Sequence, residues 1–118
     1  SLEMPVAINP KAETSYVLAA EREQPKPTRF KLRPLTSAQK LKLMGRHADP
    51  RTGETNGITL TIGCAEEGLV GWSDFPDRDG KPTRFRPGDL SALCEADIIE
   101  IGGEVWRLSN LTESDEKN

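Results

Sequence analysis

The run from Gly68 to Phe85, Gly-Leu-Val-Gly-Trp-Ser-Asp-Phe-Pro-Asp-Arg-Asp-Gly-Lys-Pro-Thr-Arg-Phe, constrains the fold more than any other part of the chain. It holds one of the two tryptophans, two of the three phenylalanines and the clearest turn signal. Phe75 and Phe85 flank Asp77-Arg78-Asp79-Gly80, with Pro76 and Pro82 on either side. Large rings at both ends of a turn must be buried at both ends, so the segment is expected to reverse direction and join two parts of one core. A small hairpin bringing Phe75 and Phe85 together is the simplest way to do this. The Asp77-x-Asp79-Gly80 pattern invites a calcium-loop reading. With Gly80 at the sixth loop position, the first falls on Phe75 and the twelfth on Arg86, so both end carboxylates are missing. No metal site follows.

A core that needs such a connector must be modest. The chain has 118 residues, so one domain of α+β type is expected. Such a chain buries somewhat under about 70% of its unfolded surface. The domain is assigned to 14–111, with a flexible N-terminal arm over 1–13 and a disordered acidic tail over 112–118. Ser1-Leu2-Glu3 reads as a cloning remnant before Met4. A net charge of −3 gives no argument for general nucleic-acid or anionic-membrane binding. No apolar run approaches the roughly 18 residues of a membrane span, and no leader pattern opens the sequence, so a cytoplasmic location is expected. Cys64 and Cys94 read as reduced thiols. With a single histidine and no Cys-x-x-Cys, zinc is not expected.

Within the domain, Thr14–Ala20 is short and rich in β-formers, and Glu21–Pro27 is a proline-broken loop. Thr28–Leu35 alternates, with Phe30 and Leu32 on one side and Arg29, Lys31 and Arg33 on the other. The two segments predict an antiparallel hairpin whose apolar face lies on helices. The basic face is assigned to solvent, with an acidic partner as the alternative. Thr36-Ser37-Ala38-Gln39 fits a capping box and predicts a helix from Ser37 to about His47. Ala38, Leu41, Met44 and Ala48 trace its apolar stripe, expected to face the core. His47 suits a surface or cap position.

Ile58–Glu67 is readable in two ways. Ile58, Leu60, Ile62 and Cys64 alternate like a strand, whereas Ile58, Ile62, Ala65 and Leu69 share a helical face. Asn56 as N-cap, Gly68 as C′ residue and Leu69 at C″ favour the helix. Asp89–Cys94 is expected to form a short helix after Pro87-Gly88. The last helix runs from Ala96 or Asp97 to about Ser109, with Ile98, Ile101, Val105 and Leu108 inward and Trp106 and Ile99 alongside. Gly102-Gly103 marks close packing. The expected fold is therefore an N-terminal antiparallel hairpin packed on a small bundle of three to four helices.

No phosphate loop, nucleophile elbow or His-Glu-x-x-His occurs, and Glu66-Glu67 and Asp77/Asp79 read as solvated acids. Neither catalytic residues nor a cofactor are assigned. Three pieces instead carry a resemblance. They are Phe30-Lys31-Leu32-Arg33-Pro34-Leu35-Thr36 leading into a helix, the Gly68–Phe85 run, and the closing helix with Leu108–Asn118. Together they resemble small tailed-phage and prophage morphogenesis proteins of the tail assembly chaperone type, over nearly the whole chain from about Ser15. The threonine-rich Ile58–Glu67 segment departs from the clean amphipathic helix expected there. The resemblance implies a non-enzymatic protein that covers the apolar surface of tail tube or tape-measure proteins in the bacterial host cytoplasm, and it leaves self-association open. It implies contact through Trp72, Phe75 and the exposed part of the Trp106 helix. A virion structural subunit, such as a connector or tail-completion protein, is one alternative. A DNA-binding regulator using Arg29, Lys31 and Arg33 is another; the acidic pI and the lack of a helix-turn-helix pattern count against it.

Overall fold

The structure is a computed structural model that describes residues 12–111. The acidic tail and all but the end of the N-terminal arm lie outside the described residues. The fold is α+β. Its elements are β1 (Thr14–Tyr16), β2 (Arg29–Leu32), α1 (Ser37–Arg46), α2 (Gly57–Gly68), β3 (Leu69–Ser73) and α3 (Glu95–Ser109). A short 3-10 turn, Ala19–Glu21, ends the first apolar segment early, so the strand there stops at Tyr16.

The expected hairpin forms, but within a larger sheet. β1, β2 and β3 make a three-stranded antiparallel sheet in that order. Tyr16, Phe30 and Trp72 lie in one row, and Lys31 pairs with Gly71. Residues paired across strands share a face. Tyr16, Phe30, Leu32, Leu69 and Trp72 therefore face the helices, and Ser15, Lys31 and Gly71 face away. A register shift at Lys31/Leu32 leaves Val70 as the extra residue of a bulge. The third strand is a correction to the sequence reading, in which Gly68 closed a helix and opened a turn. Gly68 has no positive φ, in contrast to Gly53, Gly80 and Gly88, so the Schellman ending does not form. Leu69 is already extended, and α2 passes directly into β3. Gly68 is small for a different reason: a Cβ there would meet Val105 Cγ1, and Val105 Cγ2 at 2.7 Å.

Local signals fix the starts of α1 and α2. The Gln39 amide donates to Thr36 Oγ1 at 3.1 Å, and the Thr36 amide donates to Gln39 Oε1 at 2.9 Å, completing the capping box of α1. Asn56 Oδ1 accepts from the Ile58 and Thr59 amides at 3.0 and 3.1 Å. These caps, with tertiary packing, outweigh the β-branched residues of α2. Thr61 hides its hydroxyl on the Gly57 carbonyl at 2.7 Å.

The core is Leu18, Phe30, Leu32, Leu35, Leu43, Cys64, Ala65, Leu69, Ile101 and Val105. α2 meets α3 so closely that a Cβ on Gly102 would overlap the Thr61 carbonyl oxygen. Gly103 points into open space, so only one glycine of the pair serves packing. Ile98 and Leu108 are half-buried beside Ile101 and Val105, as the spacing implied. Ser109 ties the end of α3 to the strand–helix junction. Its hydroxyl accepts from the Leu35 amide at 2.7 Å and donates to the Val105 carbonyl at 2.6 Å. Lys40 Nζ donates to the Ser109 carbonyl at 3.0 Å, where a cation suits the α3 dipole. On the far side, Glu100 accepts from the Tyr16 hydroxyl at 2.6 Å and the Ala19 amide at 2.9 Å, holding the edge strand on α3.

Two further expectations fail. No helix forms at Asp89–Cys94. Gly88 takes φ 74°, Asp89 Oδ1 accepts from the Ser91 amide at 2.9 Å, and separate turns result. Among the described residues there are therefore three α-helices, beside the three-stranded sheet. Ile58, placed on the inner face of α2, is 61% exposed at its first turn. Among the described residues, no helix is long and apolar enough to cross a membrane.

Candidate interaction surfaces

The Gly68–Phe85 run folds back on itself. Asp77 Oδ1 accepts from the Asp79 and Lys81 amides, Gly80 takes φ 78°, and Pro76 and Pro82 form an isolated antiparallel bridge. The Thr83 amide donates to the Phe75 carbonyl at 2.8 Å. The expected small hairpin is present, but Trp72 sits at the meeting point of its rings. Its indole lies edge-on to Phe75 at 5.0 Å and to Phe85 at 4.9 Å, and edge-on to Phe30 at 6.3 Å. Its Nε1–H donates to the Thr83 carbonyl at 2.8 Å. Such edge contacts contribute roughly 0.5–1.5 kcal/mol each beyond burial. Trp72 and Phe75 are thus neighbours, half-buried at the rim of the core.

The structure separates the other residues singled out in the sequence. Trp106 is half-buried on α3 and joins no ring pair among the described residues. Arg29 and Lys31 project from the open face of the sheet, opposite to Trp72. Arg33 is turned aside by a contact with Glu13 at 3.5 Å, and its Nε is buried with no partner among the described residues. The basic triplet therefore provides two exposed cations on a small polar sheet face, not a continuous patch.

The largest departure from the sequence reading lies in α1. Its buried side is Leu43, with Gln39, Lys40 and His47 half-buried beside it. Gly63 of α2 admits this side: a Cβ there would lie 3.0 Å from Leu43 Cδ2 and 3.2 Å from His47 Nε2. His47 is the C-cap of the helix, as expected. The stripe assigned to the core points outward instead. Leu41 is 71% exposed, Met44 is 40% exposed and Ala38 is exposed. Gly45 lies between them with open space over it. The polar residues on the inner side bury their stems and send their heads to caps: Gln39 to Thr36 and Lys40 to Ser109. Leu41 and Met44, expected inside, are thus exposed on the outer side of α1. The available signal was the spacing of Gln39, Leu43 and His47, four residues apart each time.

A second outward face lies on α3. Ala96, Ile99 and Gly103 are exposed at spacings of three and four, Ile99 at 37%. Among the described residues, no three His, Cys, Asp or Glu side chains are grouped to hold a metal ion. A cleft of about 500 Å³ beside His47 contains Asp49 and Glu54, but Asp49 Oδ1 is engaged by the Arg51 amide at 2.7 Å.

The thiols differ in accessibility. Cys64 is buried, and burial pushes its thiol up to about 11, whereas Cys94 is exposed before α3. A colorimetric thiol reagent is expected to modify one group quickly in the folded protein and two after denaturation. Cys94→Ser should remove the fast reaction. Two fast groups in the native protein would contradict the burial of Cys64.

The chain matches no family model, no curated protein and no solved structure.

Proposed function

We propose that this chain is a non-enzymatic virion morphogenesis protein of the tail assembly chaperone type, acting by binding an apolar segment of a tail tube or tape-measure protein. The observation that carries this reading is the outward face of α1. Leu41 and Met44 stand exposed on a helix with Lys40, Lys42 and Arg46 and no acid. A leucine so exposed buries little in the monomer and gains by burial in a complex. The phage assignment rests on the resemblance of the Phe30–Thr36, Gly68–Phe85 and C-terminal runs.

The test is co-purification of the chain with candidate tail tube and tape-measure proteins. Leu41→Asp is expected to weaken capture at least about tenfold, as truncation of a central anchor does. The same substitution should leave the thermal midpoint nearly unchanged, because the side chain is exposed. Absence of capture by the unmodified chain would remove the chaperone reading. The second reading, a virion structural subunit, is favoured by the outward face of α3. A subunit of an extended assembly needs two surfaces, and the exposed apolar residues of α1 and α3 supply a place for each.

A further inference from the structure

We infer that the outward faces of α1 and α3 are complementary and join successive copies of this chain head to tail. The inference rests on the structural-subunit reading and names the partner of the α1 face: the α3 face of a second copy. Both faces have the geometry of a helix-packing seam. On α1, Ala38, Leu41 and Gly45 are exposed at spacings of three and four; on α3, Ala96, Ile99 and Gly103 repeat that spacing. Each has one branched apolar residue between small ones, and open space over the glycine. Small residues on both sides let two helix backbones approach closely, and alternating spacings of three and four keep the contact on one side of each helix.

Charge selects the pairing. α1 holds Lys40, Lys42 and Arg46 and no acid; on α3, Glu100 is held by Tyr16 and Ala19 and Glu104 by Arg107, which leaves Glu95 and Asp97 at the start of the helix without a salt bridge among the described residues. Lys42 and Arg46 have no salt bridge among the described residues, and Lys40 is directed to the end of α3 in its own chain. Two α1 helices packed together would oppose bases to bases, and two α3 helices would oppose acids to acids. An α1–α3 contact between copies removes both conflicts and sets the bases of α1 near Glu95. Such a contact is heterologous, so a joined pair of copies keeps one free α1 face and one free α3 face. Repetition therefore closes a ring or extends a filament. The helices are short: ten residues of α1 span about 15 Å, so each contact falls in the small, reversible class of interfaces.

The experiment uses the full chain in analytical ultracentrifugation, with unmodified protein, Leu41→Asp and Ile99→Asp. The unmodified chain is expected to form species that grow with concentration and shrink with added salt. Each variant alone should be monomeric, because each lacks one of the two faces. An equimolar mixture should give a one-to-one dimer and nothing larger, since Leu41→Asp retains its α3 face and Ile99→Asp its α1 face. Circular dichroism melts establish that both variants are folded. If Ile99→Asp, the less exposed site, does not fold, Glu95→Lys and Lys42→Glu/Arg46→Glu test the same pairing without altering an apolar residue: each alone should be monomeric, and their equimolar mixture should regain growth with concentration, because both contacts between unlike copies then join opposite charges. A monomeric unmodified chain at all concentrations overturns the inference, as does a mixture that stays monomeric. Leu41-dependent capture of a tail protein by a chain that never self-associates would overturn this inference while leaving the chaperone reading standing.

Discussion

Gly102→Ala is expected to destabilise the protein by at least about 3 kcal/mol, the upper range for overpacking a closed core. The added methyl would overlap the Thr61 carbonyl oxygen and lie 2.9 Å from the Thr61 carbonyl carbon and Cγ2. The obstacle is backbone, so no rotamer change relieves it. α2 and α3 must separate, which loosens Ile101 and Val105 together. Total stabilities of small domains are about 5–15 kcal/mol, so this is a large share. Gly103→Ala is the matched control. It meets nothing within 4 Å, and replacing an exposed helical glycine should stabilise by up to about 1 kcal/mol. Urea denaturation followed by circular dichroism at dilute protein measures both. Equal effects of the two substitutions would show that α2 and α3 are not in close contact at Thr61.

Phe30→Ala is the second large effect, expected to cost about 3–5 kcal/mol. Phe30 is fully buried on the central strand and lies edge-on to both Trp72 and Phe75, at 6.3 and 5.8 Å. Its removal leaves a cavity where sheet, helices and the 75–85 hairpin meet. Trp72 loses a neighbour, so native fluorescence should shift to the red along with the fall in the urea midpoint. Phe30→Leu keeps most of the volume and should cost less than about 1.5 kcal/mol. An unshifted emission spectrum in Phe30→Ala would place Trp72 away from Phe30.

The parts of this fold that are readable in the sequence are those fixed by local chemistry. The Thr36–Gln39 box, the Asn56 cap and the Asp77–Gly80 turn satisfy backbone groups within a few residues, so their side chains identify them. Alternation at Arg29–Leu32 and the 3–4 spacing of α3 likewise survive in the structure. What the sequence conceals depends on distant partners. Leu69–Ser73 contains Gly71 and follows Gly68, and it becomes a strand because β2 supplies its hydrogen bonds. Gly68 looks like a helix terminator until Val105 appears across from it. α1 conceals its orientation because it carries apolar residues on two sides. Leu43 and His47 dock against Gly63, while the more conspicuous stripe of Ala38, Leu41 and Met44 remains outside. The stripe is visible in the sequence as a pattern, but the side to which it turns is not.

The hydrogen bonds around α3 bear on how the chain acquires its structure during synthesis. Glu100 holds Tyr16 and Ala19, more than eighty positions earlier, and Ser109 holds the Leu35 amide. The ribosome releases β1, β2 and α1 seconds before these partners exist, at about 5–20 residues per second. Until then the inner sheet face, with Phe30 and Leu32, has no α3 to close over it. Folding of this domain therefore waits until α3 has left the ribosome. The nascent chain keeps its core residues open until then, in the company of neighbouring copies on one messenger.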